Sequence, residues 1–127
     1  GSQRAEDRPP SRSKGGVMPK PTDKMYVVVR SDLDFGSQLA QALHGRDEFI
    51  ADHPELNTTW RKSSNTIVVL HAKDEAHLTN LHGKACQWGI PCSVFREPDL
   101  GDQTTCLVLG PGTDTRRITD KLPLATI

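Results

Sequence analysis

Met25-Tyr26-Val27-Val28-Val29-Arg30-Ser31-Asp32-Leu33-Asp34-Phe35-Gly36-Ser37 decides how this chain folds. Tyr26 to Arg30 is rich in β-branched and aromatic residues and stops at a polar pair, so it predicts a strand. Asp34 to Ser37 then opens a helix. Leu39, Ala42, Leu43, Arg46, Phe49 and Ile50 follow at spacings of three, four and seven, which predicts one core-facing helical stripe with Arg46 as its only polar member. Gly45 within it costs about 1 kcal/mol relative to alanine, which weakens the later half. Pro54 ends the helix by about His53.

Downstream the pattern repeats. Thr58 to Ser64 reads as a polar connection. Asn65 to His71 reads as a strand, and its run Ile67-Val68-Val69-Leu70 predicts burial on both faces. Asp74 is a suitable N-cap for a second helix carrying Leu78, Leu81, His82, Ala85 and Trp88, and Gly89-Ile90-Pro91 stops it. Cys92 to Arg96 is a third strand and Thr104 to Leu109 a fourth, joined by the loop Glu97 to Gln103 with three acids and no base. After Gly110-Pro111-Gly112, Thr113 or Asp114 caps a short helix containing Ile118 and Leu122. The order β-α-β-α-β-β-α allows three parallel strands through right-handed crossovers, with the fourth antiparallel by its hairpin and helices over both faces.

Outside this region the composition changes. Residues 1–24 contain only Ala5, Val17 and Met18 as hydrophobic residues, among Pro, Ser, Gly, Lys and Arg. Such a stretch cannot repay the entropy of its own ordering, so 1–24 is expected to be a disordered tail, with Gly1-Ser2 in the form of a tag remnant, and 25–127 the domain. No apolar run exceeds five residues, which excludes a transmembrane helix, and no secretory signal is expected. Cys86, Cys92 and Cys106 are odd in number and form no C-x-x-C pair. They predict free thiols in a reducing cytoplasm and no metal site. Net charge is zero, +2 over residues 1–23 and −2 over the remainder, so the domain has no global electrostatic footprint for nucleic acid. Any RNA contact must come from a local patch.

G-x-S-x-G, P-loop, H-E-x-x-H and G-x-G-x-x-G motifs are all absent, and no cofactor is expected. However, Val28-Val29-Arg30-Ser31-Asp32-Leu33, then Gly36 and Leu39-Ala40-Gln41-Ala42-Leu43-His44, resembles the start of a type 2 peptidyl-tRNA hydrolase. Ala72-Lys73-Asp74-Glu75, Thr105 and Gly110-Pro111-Gly112 continue the resemblance, which covers about residues 25–123. It implies a three-layer α/β/α sandwich with a four-stranded mixed sheet in the order 2-1-4-3, strand 4 antiparallel. It also implies cleavage of the ester that joins a peptidyl or other N-blocked acyl group to tRNA, releasing free tRNA. Two departures mark a divergent member. Ser37 stands where the family has a lysine, with no Lys or Arg between Arg30 and Arg46, and Glu97 replaces an aspartate ahead of a shortened loop. A catalytically weak or inactive module of the same fold, binding tRNA or another partner, is the alternative; a purely structural interaction domain rests only on the tail.

Read for chemistry, Ser37, Gln41, His44 and Glu48 form a polar stripe on the first helix, which starts at the C-terminal end of strand one where open α/β sheets place their clefts. His44 is a candidate base for activating water. Glu97 is either that base, if partly desolvated, or a residue that orients His44. Gln41, Thr105 and backbone amides are candidates to hold a carbonyl oxygen or a terminal ribose. Arg30, Asp32 and Ser37 are candidates for substrate binding. Trp60 with Arg61 and Lys62 is the best basic-aromatic cluster for an unpaired base and its phosphate. Each has a plainer reading: a solvated helix face for Gln41 and His44, a turn start for Glu97, an ordinary strand residue for Thr105, a pairing of Arg30 with Asp32 or Asp34, and a core tryptophan between solvated charges. The expected assembly is a monomer or homodimer.

Overall fold

The computed structural model describes residues 23–127. Most of the expected tail lies outside the described residues, and Lys24, its last member by sequence, instead begins the first strand. The elements are β1 (Lys24–Arg30), α1 (Phe35–Asp52), α2 (Pro54–Ser63), β2 (Thr66–Ala72), α3 (Glu75–Gln87), β3 (Cys92–Glu97), a 3₁₀ turn at Pro98–Leu100, β4 (Gln103–Leu109) and α4 (Thr115–Thr119). The sheet order is β2-β1-β4-β3. β1 runs parallel to β2, with Lys24 opposite Thr66, and β4 is antiparallel to both β1 and β3. This is the expected sandwich.

Alternation along β1 feeds two cores. Met25, Val27 and Val29 pack with Phe49 of α1, Trp60 of α2, Cys106 and Val108 on one face. Val28 packs with Leu70, Leu78, Leu81, Ala85, Leu107 and Ile118 on the other, under α3 and α4. Both long helices are capped by aspartate, since Asp34 accepts from the Ser37 N–H at 2.8 Å and Asp74 from the His77 N–H at 2.9 Å. Gly89, at φ 68°, closes α3, with the Ile90 N–H bonded to the Ala85 carbonyl.

Four expectations are corrected. Thr58 to Ser64 is not a polar connection. Pro54 ends α1 but also starts α2, because proline is preorganised for the first helical position, and Glu55 at one end with Arg61 and Lys62 at the other complement the helix dipole. The α1 stripe is rotated: Leu39, Leu43 and Ile50 are exposed, while Gln38, Gln41, Gly45 and Phe49 are buried. Gly45 sets that rotation, because a Cβ there would come 2.3 Å from Cys106 Sγ. β2 is an edge strand with Ile67 and Val69 exposed rather than buried on both faces. Its outer side is met by the C-terminal segment, where the Pro123 carbonyl accepts from His71 N–H and Leu124 bridges Leu70. Finally, α4 ends at Thr119, so Leu122 lies beyond it and packs on the α3-side core.

Candidate active site on the flank of α1

β1 and β3 both end, and β4 begins, at the edge of the sheet where α1 starts. Three expected residues meet there. Thr105 Oγ1 donates to Gln41 Oε1 at 2.5 Å, and Gln41 Nε2 donates to Glu97 Oε1 at 2.8 Å. The chain of donors fixes which way the Gln41 amide faces. Glu97 Oε2 also accepts from the Asp99 N–H at 3.3 Å, in the 3₁₀ turn. His44, one turn beyond Gln41, is exposed and stacks on the Phe95 ring with centroids 4.5 Å apart and planes 14° from parallel.

Thr105 reaches this face through an irregularity. Phe95 pairs with Cys106 and Arg96 with Thr104, so the register shifts and Thr105 has no partner across the ladder. A bulge of this kind re-aims a side chain, and here it brings the Thr105 hydroxyl to α1. The residue is fully buried, so its hydroxyl orients Gln41 and does not itself meet solvent. Phe95 was not singled out by sequence, although it lies two residues before Glu97 in the same strand and therefore shares its strand phase.

The electrostatics separate the roles of the acid and the histidine. Hydrogen bonding from Gln41 first, then from the Asp99 N–H, holds the Glu97 carboxyl below its ordinary value, and nearby His44 adds to this. Desolvation acts in the opposite direction and does not prevail. Glu97 is thus a persistent carboxylate rather than a base activated by burial.

The other expected residues lie elsewhere. Ser37 is half-buried in the first turn of α1, in phase with Gln41 and His44. Arg30 is buried at the end of β1. Its guanidinium makes a two-pronged contact with Asp32 at 2.9 and 2.8 Å and donates to Gln103 Oε1 at 2.8 Å. This uses its donors internally and ties β1 to β4. Trp60 is fully buried in the α1-side core, so it cannot stack on a base. Arg46 lies over its ring at 5.4 Å. Arg61 and Lys62 are exposed, but at the Lys24–Thr66 end of the sheet, opposite the end that holds Glu97. On the other flank of α1, a depression of about 420 Å³ is lined by Leu33, Phe35, His71 and Ile127 among others.

Residues 23–125 match the family pattern described as peptidyl-tRNA hydrolase PTH2. The chain belongs to that family. Among relatives, the peptidyl-tRNA hydrolase of Methanocaldococcus jannaschii is 32% identical over 113 residues, covering 80% of this chain and 98% of that protein. The peptidyl-tRNA hydrolase of Thermococcus sibiricus shares the same identity over the same length, covering 80% and 96%. That of Pyrobaculum aerophilum is 30% identical over 103 residues, covering 72% and 86%. A solved Agrobacterium protein of unknown function superposes with a TM-score of 0.62 at 18% identity, over 82% of this chain and 98% of that one, which bears on fold alone. The PTH2 assignment thus spans nearly every described residue, and the Thr105–Gln41–Glu97 chain and His44 lie inside the matched segment. No helix of the described residues is long and apolar enough to cross a membrane.

Proposed function

We propose that this PTH2 member hydrolyses the ester between tRNA and a peptidyl or other N-blocked acyl group, using the cluster on the flank of α1. The observation that carries this reading is the hydrogen-bonded chain Thr105–Gln41–Glu97 beside the stacked, exposed ring of His44. His44 takes a proton from a water, whose oxygen attacks the ester carbonyl. The bond to the 3′ oxygen breaks, and that oxygen receives the proton from His44. Glu97 stays ionised and offsets the charge that forms on the imidazole. Gln41, with its amide orientation fixed, presents its remaining N–H to the acyl or ribose oxygen. The products are free tRNA and the free N-blocked acid.

Ser37 supplies no positive charge where the family resemblance implies one. A preorganised donor at an oxyanion contributes about 3–4 kcal/mol, a hundred- to thousandfold in rate. Turnover is therefore slower than in relatives that keep a lysine, and Ser37→Lys raises it. The test is deacylation of N-acetyl-aminoacyl-tRNA against a blank. His44→Ala and Glu97→Gln should each reduce the rate with circular dichroism unchanged. Parental rates in both variants reject this site. A parent that binds tRNA yet never exceeds the blank rejects hydrolysis in favour of a binding module.

A further inference from the structure

The face of the sheet opposite this cluster carries a second group of reactive side chains. His82 and Cys86 stand one turn apart on α3, at i and i+4, and so project from one side of the helix. Cys92 is the first residue of β3. The left-handed turn at Gly89 folds β3 back against α3, and His53 Nε2, 3.0 Å from the Cys92 carbonyl oxygen, anchors the start of the strand from the α1 side. The result is that one ring nitrogen of His82 and the two sulfur atoms all lie within 4.8 Å of one another.

We propose that His82, Cys86 and Cys92 form a binding site for Zn²⁺. Zinc takes thiolate sulfur at about 2.3 Å and imidazole nitrogen at about 2.0–2.1 Å, so tetrahedral ligands stand roughly 3.4–3.8 Å apart. The trio reaches that spacing by closing about 1 Å, within the range of side-chain rotation for a partly exposed histidine and an exposed cysteine. Two thiolates and an imidazole are a soft donor set that selects zinc over magnesium or calcium. Three protein ligands leave a fourth position for water, and the exposure of Cys86 gives it an open side.

Charge supports the stoichiometry. Two thiolates neutralise the ion, which suits a site where Arg96 already places a positive charge near His82. Burial and the neighbouring Cys86 push the Cys92 thiol up to about 11, so the ion must displace its proton, and binding releases protons. The third thiol, Cys106, is fully buried in the α1-side core and takes no part. The sequence concealed the site because its ligands come from two elements, with no C-x-x-C spacing.

Cobalt(II) reports on such a site directly, through a thiolate-to-metal charge-transfer band and tetrahedral d–d transitions. The full chain, reduced and freed of metal, should bind one equivalent of Co²⁺ with both signatures, and Zn²⁺ should displace it. Cys86→Ser and Cys92→Ser should each abolish or strongly shift the charge-transfer band, and His82→Ala should weaken binding at least tenfold. Cys86 is exposed, so Cys86→Ser decides the matter should Cys92→Ser misfold. Zn²⁺ should raise the melting temperature of the parent and not of Cys86→Ser. Absence of the band, or its survival unchanged in Cys86→Ser, overturns the proposal. So does a Cys86–Cys92 disulfide that persists under mild reductant, seen as a mass two hydrogens lower.

Discussion

Thr105 shows how much one hydroxyl can organise. It is the donor at the start of a chain that fixes the Gln41 amide and through it the Glu97 carboxylate. Thr105→Val keeps the shape and removes the donor, leaving a buried acceptor without its partner, which costs about 1–3 kcal/mol. The variant should unfold at lower urea and, with Gln41 free to turn over, hydrolyse substrate more slowly than its lost stability explains. Parental values for both would remove Thr105 from the site. A second test at this scale concerns Asp32. Hydrogen bonding from Arg30 holds its carboxyl below the ordinary value. A depressed folded-state pKa gives stability that is present above the unfolded value and lost as pH falls through the folded one. Asp32→Asn should therefore lower the melting temperature near pH 6, and the gap from the parent should close as pH falls below about 4. A gap that does not vary with pH would assign the loss to packing. The sequence singles out Gln41, His44, Glu97 and Thr105 as candidates, but not how they connect. The bulge that turns Thr105 toward α1 depends on the pairing of β4 with β3, and alternation within one strand does not display it.

At the scale of elements, β1, α3 and β4 were legible to within a residue or two because their signals are local: a β-branched run, an aspartate cap and a glycine-proline stop. The buried face of α1 was not. Hydrophobic spacing selects Leu39, Leu43 and Ile50, whereas the helix packs through Gly45 and through polar residues that find partners, such as Gln38 between the Leu33 carbonyl and His71. Glycine lowers helix propensity by about 1 kcal/mol, yet here it permits contact with β4. Gly45→Ala gains that amount and meets Cys106 Sγ at 2.3 Å. Overpacking typically costs 1–3 kcal/mol, so a net loss of up to about 2 kcal/mol is expected in urea denaturation. The double variant Gly45→Ala, Cys106→Ala should be less destabilised than the sum of its parts. A Gly45→Ala variant more stable than the parent would show that α1 can slide. Trp60 was misplaced for a related reason. Its basic neighbours suggested a surface, but helix α2 turns the aromatic inward and leaves Arg61 and Lys62 outside.

For the whole molecule, the exposed pair Arg61–Lys62 and the Glu97 end of the sheet are separated by the length of a seven-residue strand, about 20 Å. A tRNA that reaches both must lie along the α1–α2 layer. Replacing Arg61 and Lys62 with alanine should weaken tRNA binding at moderate salt and reduce the salt dependence by the equivalent of about one or two phosphates. The single-turnover rate at saturating substrate should not change. Unchanged affinity would leave the path of the tRNA to other surfaces.

The strand order has a consequence for how the chain is made. β1 is central in the sheet, and Tyr26 pairs with both Val68 and Leu109. A ribosome delivers β1 before α1, α2, β2, α3 and β3, and β4 only after them, so β1 must wait for one of its two partners. Pairings this distant are slow to form. The proposed active site draws on α1, β3 and β4, so it cannot assemble on a chain arrested before β4. A site of this make-up is complete only once β4 has left the ribosome.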